Sequence, residues 1–177
     1  LEASARFGGG FGLAGSLGYI DAQYDEYITN IGNTPTDVAA FRVVQNTPEV
    51  TGSITASYDT PVGPGDLYLG TTLSYRSKTS QFEIPNPYLD QGGYALLDAS
   101  IVYSAPGDRW SVGVYGKNLL DKEYKTSGYT FVATDPVTGD IVNGANGFPV
   151  PTLGPEGTLT AFYGNPRQVF ATLTFNY

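Results

Sequence analysis

Apolar and polar side chains alternate along most of this chain with a period of two. The last eleven residues, RQVFATLTFNY, show it plainly: Val169, Ala171, Leu173, Phe175 and Tyr177 take one parity, and Gln168, Thr172, Thr174 and Asn176 take the other. Successive side chains of a strand point to opposite faces, so such a segment carries one apolar and one polar surface. Phe170 is its single exception. The same alternation, bounded by Gly, Pro and Asp, predicts seven strands near residues 1–7, 11–25, 50–59, 67–79, 94–104, 110–119 and 166–177. Short connections, GGG (8–10), TPVGPGD (60–66) and APGD (105–108), alternate with long ones at about residues 26–49, 80–93 and 120–165. Loops beyond about 12–15 residues are uncommon in compact domains. Three of them at one end of an up-and-down sheet predict a plain side and an elaborate side. TDVAAFRVV (36–44) suits a helical turn or a strand, and YTFVATDPVTGDIV (129–142) reads as a small hairpin inside the last loop.

Pairing across the short turns gives an expected register. Phe7 faces Phe11, Ala5 faces Leu13, Ala3 faces Gly15 and Leu1 faces Leu17; Tyr58 faces Leu67 and Ala56 faces Leu69; Tyr103 faces Trp110, Ile101 faces Val112 and Ala99 faces Val114. All of these fall on one face, because a one-residue slip would invert the whole set. The other face carries Ser4, Ser16, Thr55, Thr72, Ser100 and the charges Glu2, Arg6, Arg76, Asp98 and Lys117. It is too polar for the inner face of a two-sheet sandwich. Aromatic residues crowd the two ends of the apolar face: Phe7, Phe11, Tyr58, Tyr103, Trp110, Phe175 and Tyr177 beside the short turns, Tyr19 and Tyr75 near the long loops. The eight residues from Phe11 to Tyr19 span about 27 Å of strand, or about 20 Å when tilted, close to the apolar band between the aromatic girdles of an outer-membrane barrel. The expected apolar medium is lipid, and the expected fold is all-β, an antiparallel up-and-down transmembrane β-barrel segment.

Composition narrows the chemistry. Of 177 residues, 23 are Gly and 14 Tyr, and there is no Cys, Met or His. That removes the imidazole base, the thiolate nucleophile and the common zinc and copper ligands, and with them most enzyme classes. Carboxylate chemistry stays possible but finds no supporting partner in the sequence, so no enzyme, metal site or cofactor is expected. The formal charge is −8 and no basic run occurs, so no nucleic-acid partner is expected. No stretch approaches the roughly 20 apolar residues of a spanning helix. The opening LEASARF already alternates like a strand, which suggests a piece of something larger.

GKNLLDKEY (116–124) resembles the stretch near the end of TonB-dependent receptors, the active transporters of the bacterial outer membrane. GYALLDASIVY, the tight APGD turn and the aromatic final strand stand in the same order there, and LEASARF…GGFGLAGSLGYIDAQYDEY resembles an earlier barrel hairpin. The resemblance implies that residues 1–177 are the C-terminal portion of a 22-stranded barrel, with short periplasmic turns, long extracellular loops, and the plug and earlier strands absent. It implies TonB-coupled uptake of a scarce ligand: a siderophore or other metal chelate, cobalamin or a saccharide. The implied partners are outer-membrane lipid, the N-terminal plug, the TonB complex through the missing N-terminal part, and the barrel assembly machinery. Phe175 and Tyr177 resemble the signal that machinery recognises. Glu2, Arg6, Arg76, Asp98 and Lys117 become lumen-facing charges that contact the plug, or are satisfied by water and each other. Exposed aromatics in the long loops, Phe82, Tyr88, Tyr129, Phe131 and Phe162, are the candidate ligand contacts. A passive outer-membrane pore or small barrel, and a soluble β-sheet binding module, are the rival readings.

Three further signals are discounted. GFGLAG (10–15) spells a dinucleotide fingerprint, but strand alternation follows where a helix is required. Asp135 and Asp140 could share a calcium ion, yet turn chemistry alone accounts for TDPVTGD. DAQYDEY (21–27) reads as a solvated extension of the second strand above the membrane.

Overall fold

The computed structural model describes residues 1–153 and 159–176. Seven strands form one antiparallel sheet in simple sequence order. They are β1 (Glu2–Arg6), β2 (Phe11–Tyr19), β5 (Val50–Val62), β6 (Gly65–Arg76), β7 (Tyr94–Ser104), β8 (Trp110–Lys117) and β11 (Gln168–Phe175). Two hairpins stand in the long connections: β3 (Ile28–Ile31) with β4 (Thr34–Asp37), and β9 (Lys125–Thr130) with β10 (Leu159–Tyr163). The sheet is open, with β1 and β11 at opposite edges.

Parity governs the sheet. Across it, the row Ser4, Ala14, Thr55, Thr72 and Asp98 shares one face, while Ala5, Leu13 and Ala56 share the other. The apolar face has no second layer against it among the described residues. Leu13 is 40% exposed, Ile101 53%, Val112 40% and Leu173 61%, so none sits in a sealed interior. The buried hydrophobic residues are Val38, Leu89 and Ala105, all outside the strands. The sheet therefore has no dry core of its own, and a soluble two-layer module does not describe it.

The first hairpin pairs as expected, with Ala5 opposite Leu13 and Ala3 opposite Gly15. The other two tight turns correct the expected register by two residues. Tyr58 faces Leu69 and Thr60 faces Leu67, because β5 and β6 run on to a two-residue turn at Gly63 and Pro64. Gly63 has φ +61°, the conformation a tight hairpin needs at its first central position. Likewise Tyr103 faces Val112 and Ile101 faces Val114, because Arg109 joins the connection. A slip of two preserves the facing of every side chain.

The second strand ends at Tyr19 rather than near residue 25. Its last partner is Val50, and beyond that pair DAQYDEY has no ladder to join. The 36–44 segment resolves into the end of β4 and a single 3₁₀ turn, Ala39–Phe41. In the 129–142 segment, Tyr129 and Thr130 belong to β9, and a small turn is closed by a bridge from Thr134 to Ile141.

Rings crowd the short-turn rim of the apolar face, and Tyr19 and Tyr75 stand exposed near its other end. Phe7 and Phe11 lie 5.7 Å apart, and Tyr103 and Trp110 5.6 Å apart, beside the short turns. Phe170, the odd residue of the last strand, has its partner on the polar face: its ring stacks on Tyr115 at 5.2 Å. Gly113 next to it leaves room for the Tyr115 ring, which would block a side chain there.

Candidate functional site: a polar wall below three joined loops

The five charges expected inside a barrel share the polar face of the sheet. Lys117 Nζ donates to Asp98 Oδ2 at 2.7 Å, and the corrected register sets the two directly opposite each other across β7 and β8. Arg76 Nη2 donates to the carbonyl of Asn46, which carries this residue up toward the loops, and its Nε is buried without a partner. Glu2 lines a hollow of about 340 Å³ with Ser4, Ser16 and Ser53; Arg6 lines a neighbouring one with Gly12, Ser57 and Asp59. Along this side small hydroxyls bond strand to strand, Ser16 to Ser53 at 2.8 Å and Thr55 to Thr72 at 2.9 Å. The result is a flat, hydrophilic wall.

Of the five loop aromatics, three come together. The Tyr129 ring meets Phe162 edge-on at 5.6 Å and lies parallel to Phe131 at 6.5 Å. Residues 127, 129 and 131 share one side of β9, and Thr160 and Phe162 continue it on β10. The opposite side is covered at Gly128 by Leu89. The three rings are left exposed. Phe82 lies apart, in a cleft of about 260 Å³ with Glu83, Asn86, Thr130, Val132 and Ile141. Tyr88 is exposed beside that region, and its carbonyl accepts a bond from Lys125 Nζ. Of the assembly pair, Phe175 pairs with Trp110 and Tyr177 lies outside the described residues.

Asp135 is engaged by turn geometry. Its Oδ1 accepts the amides of Thr138 and then Val137, both at 2.8 Å, which holds the carboxyl below the usual aspartate range. Asp140 Oδ2 accepts the Thr138 hydroxyl. Asp37 behaves alike, lowered by the amides of Ala39 and Tyr27 on its Oδ1. The negative charge of Glu83, and then the hydrogen bond it accepts, push the Tyr27 hydroxyl above the ordinary tyrosine range.

Two residues that sequence reasoning passed over organise the site. Asn118 is 5% exposed, and its side chain bonds the carbonyls of Lys122 and Asn165 and the amide of Lys122. Its own amide donates to Asp98. Asn118 and Asp121 both have positive φ, tolerated by these residue types. The Asn and Asp of NLLDKEY are thus the corners of the tie between β7, β8 and β11, since Asp121 also accepts the Arg167 amide. The second is Arg42, buried among the loops. A lone Arg in an Ala- and Val-rich stretch was its available signal.

Comparison with known proteins now bears on this wall. Residues 1–119 match the family described as TonB dependent receptor-like, beta-barrel. The chain belongs to that family. The match takes in β1 to β8 and stops inside the NLLDKEY stretch. Over 185 aligned residues the chain is 29% identical to the ferrichrome outer membrane transporter/phage receptor of Escherichia coli K12, covering 100% of the chain and 19% of that protein. Its fold matches the ferric yersiniabactin uptake receptor of Yersinia pestis with a TM-score of 0.67 at 19% identity, over 99% of the chain and 22% of that protein. The siderophore receptor PiuA of Acinetobacter baumannii gives 0.60 at 16% identity, over 98% and 20%. The chain thus spans about a fifth of the length of these relatives. Its setting is the bacterial outer membrane, and the relatives are named as transporters and receptors rather than enzymes.

Proposed function

We propose that this chain is the C-terminal wall of an active outer-membrane transporter that takes up a ferric chelate of the siderophore class. The observation that carries the reading is a sheet with no dry core, apolar and ring-rimmed on one side and hydrophilic on the other, in a chain aligned end to end with a ferrichrome transporter. Lipid would cover the first side. The polar side would line the bore of a 22-stranded barrel, where Glu2, Arg6, Arg76, Asp98 and Lys117 meet the plug. Energy would enter through the TonB complex, acting on the part of the protein that precedes residue 1. Assembly machinery would receive the strand that ends in Phe175 and Tyr177.

This segment contributes wall, mouth and closing strand. In the mouth, Tyr129, Phe131 and Phe162 offer flat exposed rings, suited to the apolar periphery of a chelate whose metal is already wrapped by its own ligands.

The test is uptake of radiolabelled ferric siderophores by cells expressing the intact protein, with and without collapse of the proton gradient. Accumulation should depend on the gradient and fall at least tenfold when the three rings are replaced by Ala. Gradient-independent equilibration would turn the reading into a passive pore. Full uptake by the triple variant would remove the rings from the ligand's path.

A further inference from the structure

The three long connections are fastened to each other more fully than a set of independent loops requires. The first, residues 20–49, bonds to the second, residues 77–93, through two backbone hydrogen bonds, Val43 to the Glu83 carbonyl and Asn46 to the Ser80 carbonyl, each 2.9 Å. Tyr27 Oη adds a third, to Glu83 Oε1 at 3.2 Å. The second joins the third, described over residues 118–153 and 159–167, where Gln91 Oε1 accepts the Lys125 amide at 2.7 Å, Lys125 Nζ donates to the Tyr88 carbonyl at 2.7 Å, and Asn86 Nδ2 donates to Thr130 Oγ1 at 3.3 Å.

The first and third meet through one side chain. Arg42 Nη1 donates to the Val137 carbonyl at 3.2 Å and Nη2 to the Pro136 carbonyl at 3.4 Å, and these are the hydrogen bonds joining those two connections among the described residues. The guanidinium carbon also stands 5.9 Å from the centre of the Tyr27 ring, whose hydroxyl reaches Glu83. Gly139, with φ +80°, passes close to both Arg42 and Ile84, so the third connection touches the other two at one point. Arg42 is 9% exposed, and its partners here are carbonyls and a ring. A buried cation held this way is costly to leave unpaired, which favours keeping its contacts on both connections together.

We propose that Arg42 is a latch that makes the three connections one lid, so that the mouth opens and closes as a single event rather than loop by loop. Removing it breaks the link between the first and third connections and so loosens the closed set of contacts as a whole. The idea rests on placing these connections at the mouth of a transporter.

Hydrogen exchange by mass spectrometry on the intact protein in lipid nanodiscs reads the latch without any transport. In the unaltered protein, peptides covering 36–47, 79–91 and 131–142 should share one protection level. Arg42→Ala should raise exchange in all three together, by about tenfold, while peptides within β5 and β6 stay unchanged. The 79–91 peptide decides, because Arg42 makes no hydrogen bond to it. Faster exchange confined to 36–47 and 131–142 would reduce Arg42 to a local brace and overturn the proposal, as would no change anywhere. Should the Ala variant fail to assemble, Arg42→Lys keeps the charge but loses the fork that reaches two carbonyls, and the same three peptides must again move together. Loss of uptake in a separate assay bears on the transporter reading and leaves the exchange pattern untouched.

Discussion

The backbone amide of Asn118 donates to Asp98 Oδ1 at 2.9 Å, while Lys117 takes the other oxygen of the same carboxylate at 2.7 Å. One aspartate on β7 thus holds both the end of β8 and the turn that follows it. The two bonds differ in weight. Lys117 has about half of its side chain in solvent, so its ion pair contributes about 0.2–1 kcal/mol. Asn118 is buried, and losing it would leave the Lys122 and Asn165 carbonyls and the Lys122 amide without it.

Asn118→Ala should therefore cost about 2–3 kcal/mol, against less than about 1 kcal/mol for Lys117→Ala. Denaturant unfolding of the intact barrel in lipid, followed by the loss of the heat-sensitive compact band in electrophoresis, compares the two. Equal losses would mean that the salt bridge, not the amide hub, holds the turn.

Arginine at Leu13 or Val112 should destabilise the inserted barrel by about 2–4 kcal/mol near the bilayer midplane. Arginine at Ser53 or Thr72, one residue parity away, should cost less than half as much, because those positions face the polar wall. Folding into vesicles of defined lipid measures both. Indistinguishable costs would contradict the assignment of the two faces.

Deletion of residues 175–177 should lower the amount of assembled protein in cells several-fold while the purified variant still folds slowly into detergent. Phe175 stands opposite Trp110, and Asn176 donates from its side-chain amide to the Asp108 carbonyl and from its backbone amide to the Arg109 carbonyl in the β7–β8 turn. Replacing Phe175 with Leu should keep the packing and still reduce assembly, which separates recognition by the cell from stability.

Acid should loosen two loop turns. Asp135 and Asp37 are both held below the ordinary carboxylate range by backbone amides, so each turn's stabilisation is complete above that range. It is lost as pH falls through the lowered values of the folded protein. Amide resonances of Val137 and Thr138 should shift in that acid window, and Asp135→Asn should abolish the titration.

The alternation of Leu13, Ala56, Ile101 and Leu173 with their polar neighbours was sufficient to read the seven strands, their order and both faces, because period two is a property of each strand alone. Turn length is not. TPVGPGD looks like a loop because Pro61 cannot donate in a ladder. Yet β2 leaves β5 at Tyr58, so Pro61 sits on a locally open edge and pairs on its other side with Asp66. The Tyr129–Phe131–Phe162 cluster was half legible: exposed rings could be named, but their meeting depends on the pairing of β9 with β10 across some thirty residues. Arg42 stood out as a lone cation, but its role was hidden for the same reason, since its partners Pro136 and Val137 lie far along the chain.

The two-residue corrections at the tight turns carry a lesson about how such a wall tolerates change. Material can be added to or taken from a hairpin in couples, leaving every ring, hydroxyl and aliphatic group turned toward the solvent it suits. A one-residue slip of β6 against β5 would drive Arg76 toward hydrocarbon and Leu73 toward water in a single stroke. Shifts of register between neighbouring strands should accordingly be quantised in even steps, whatever the length of the turn that joins them.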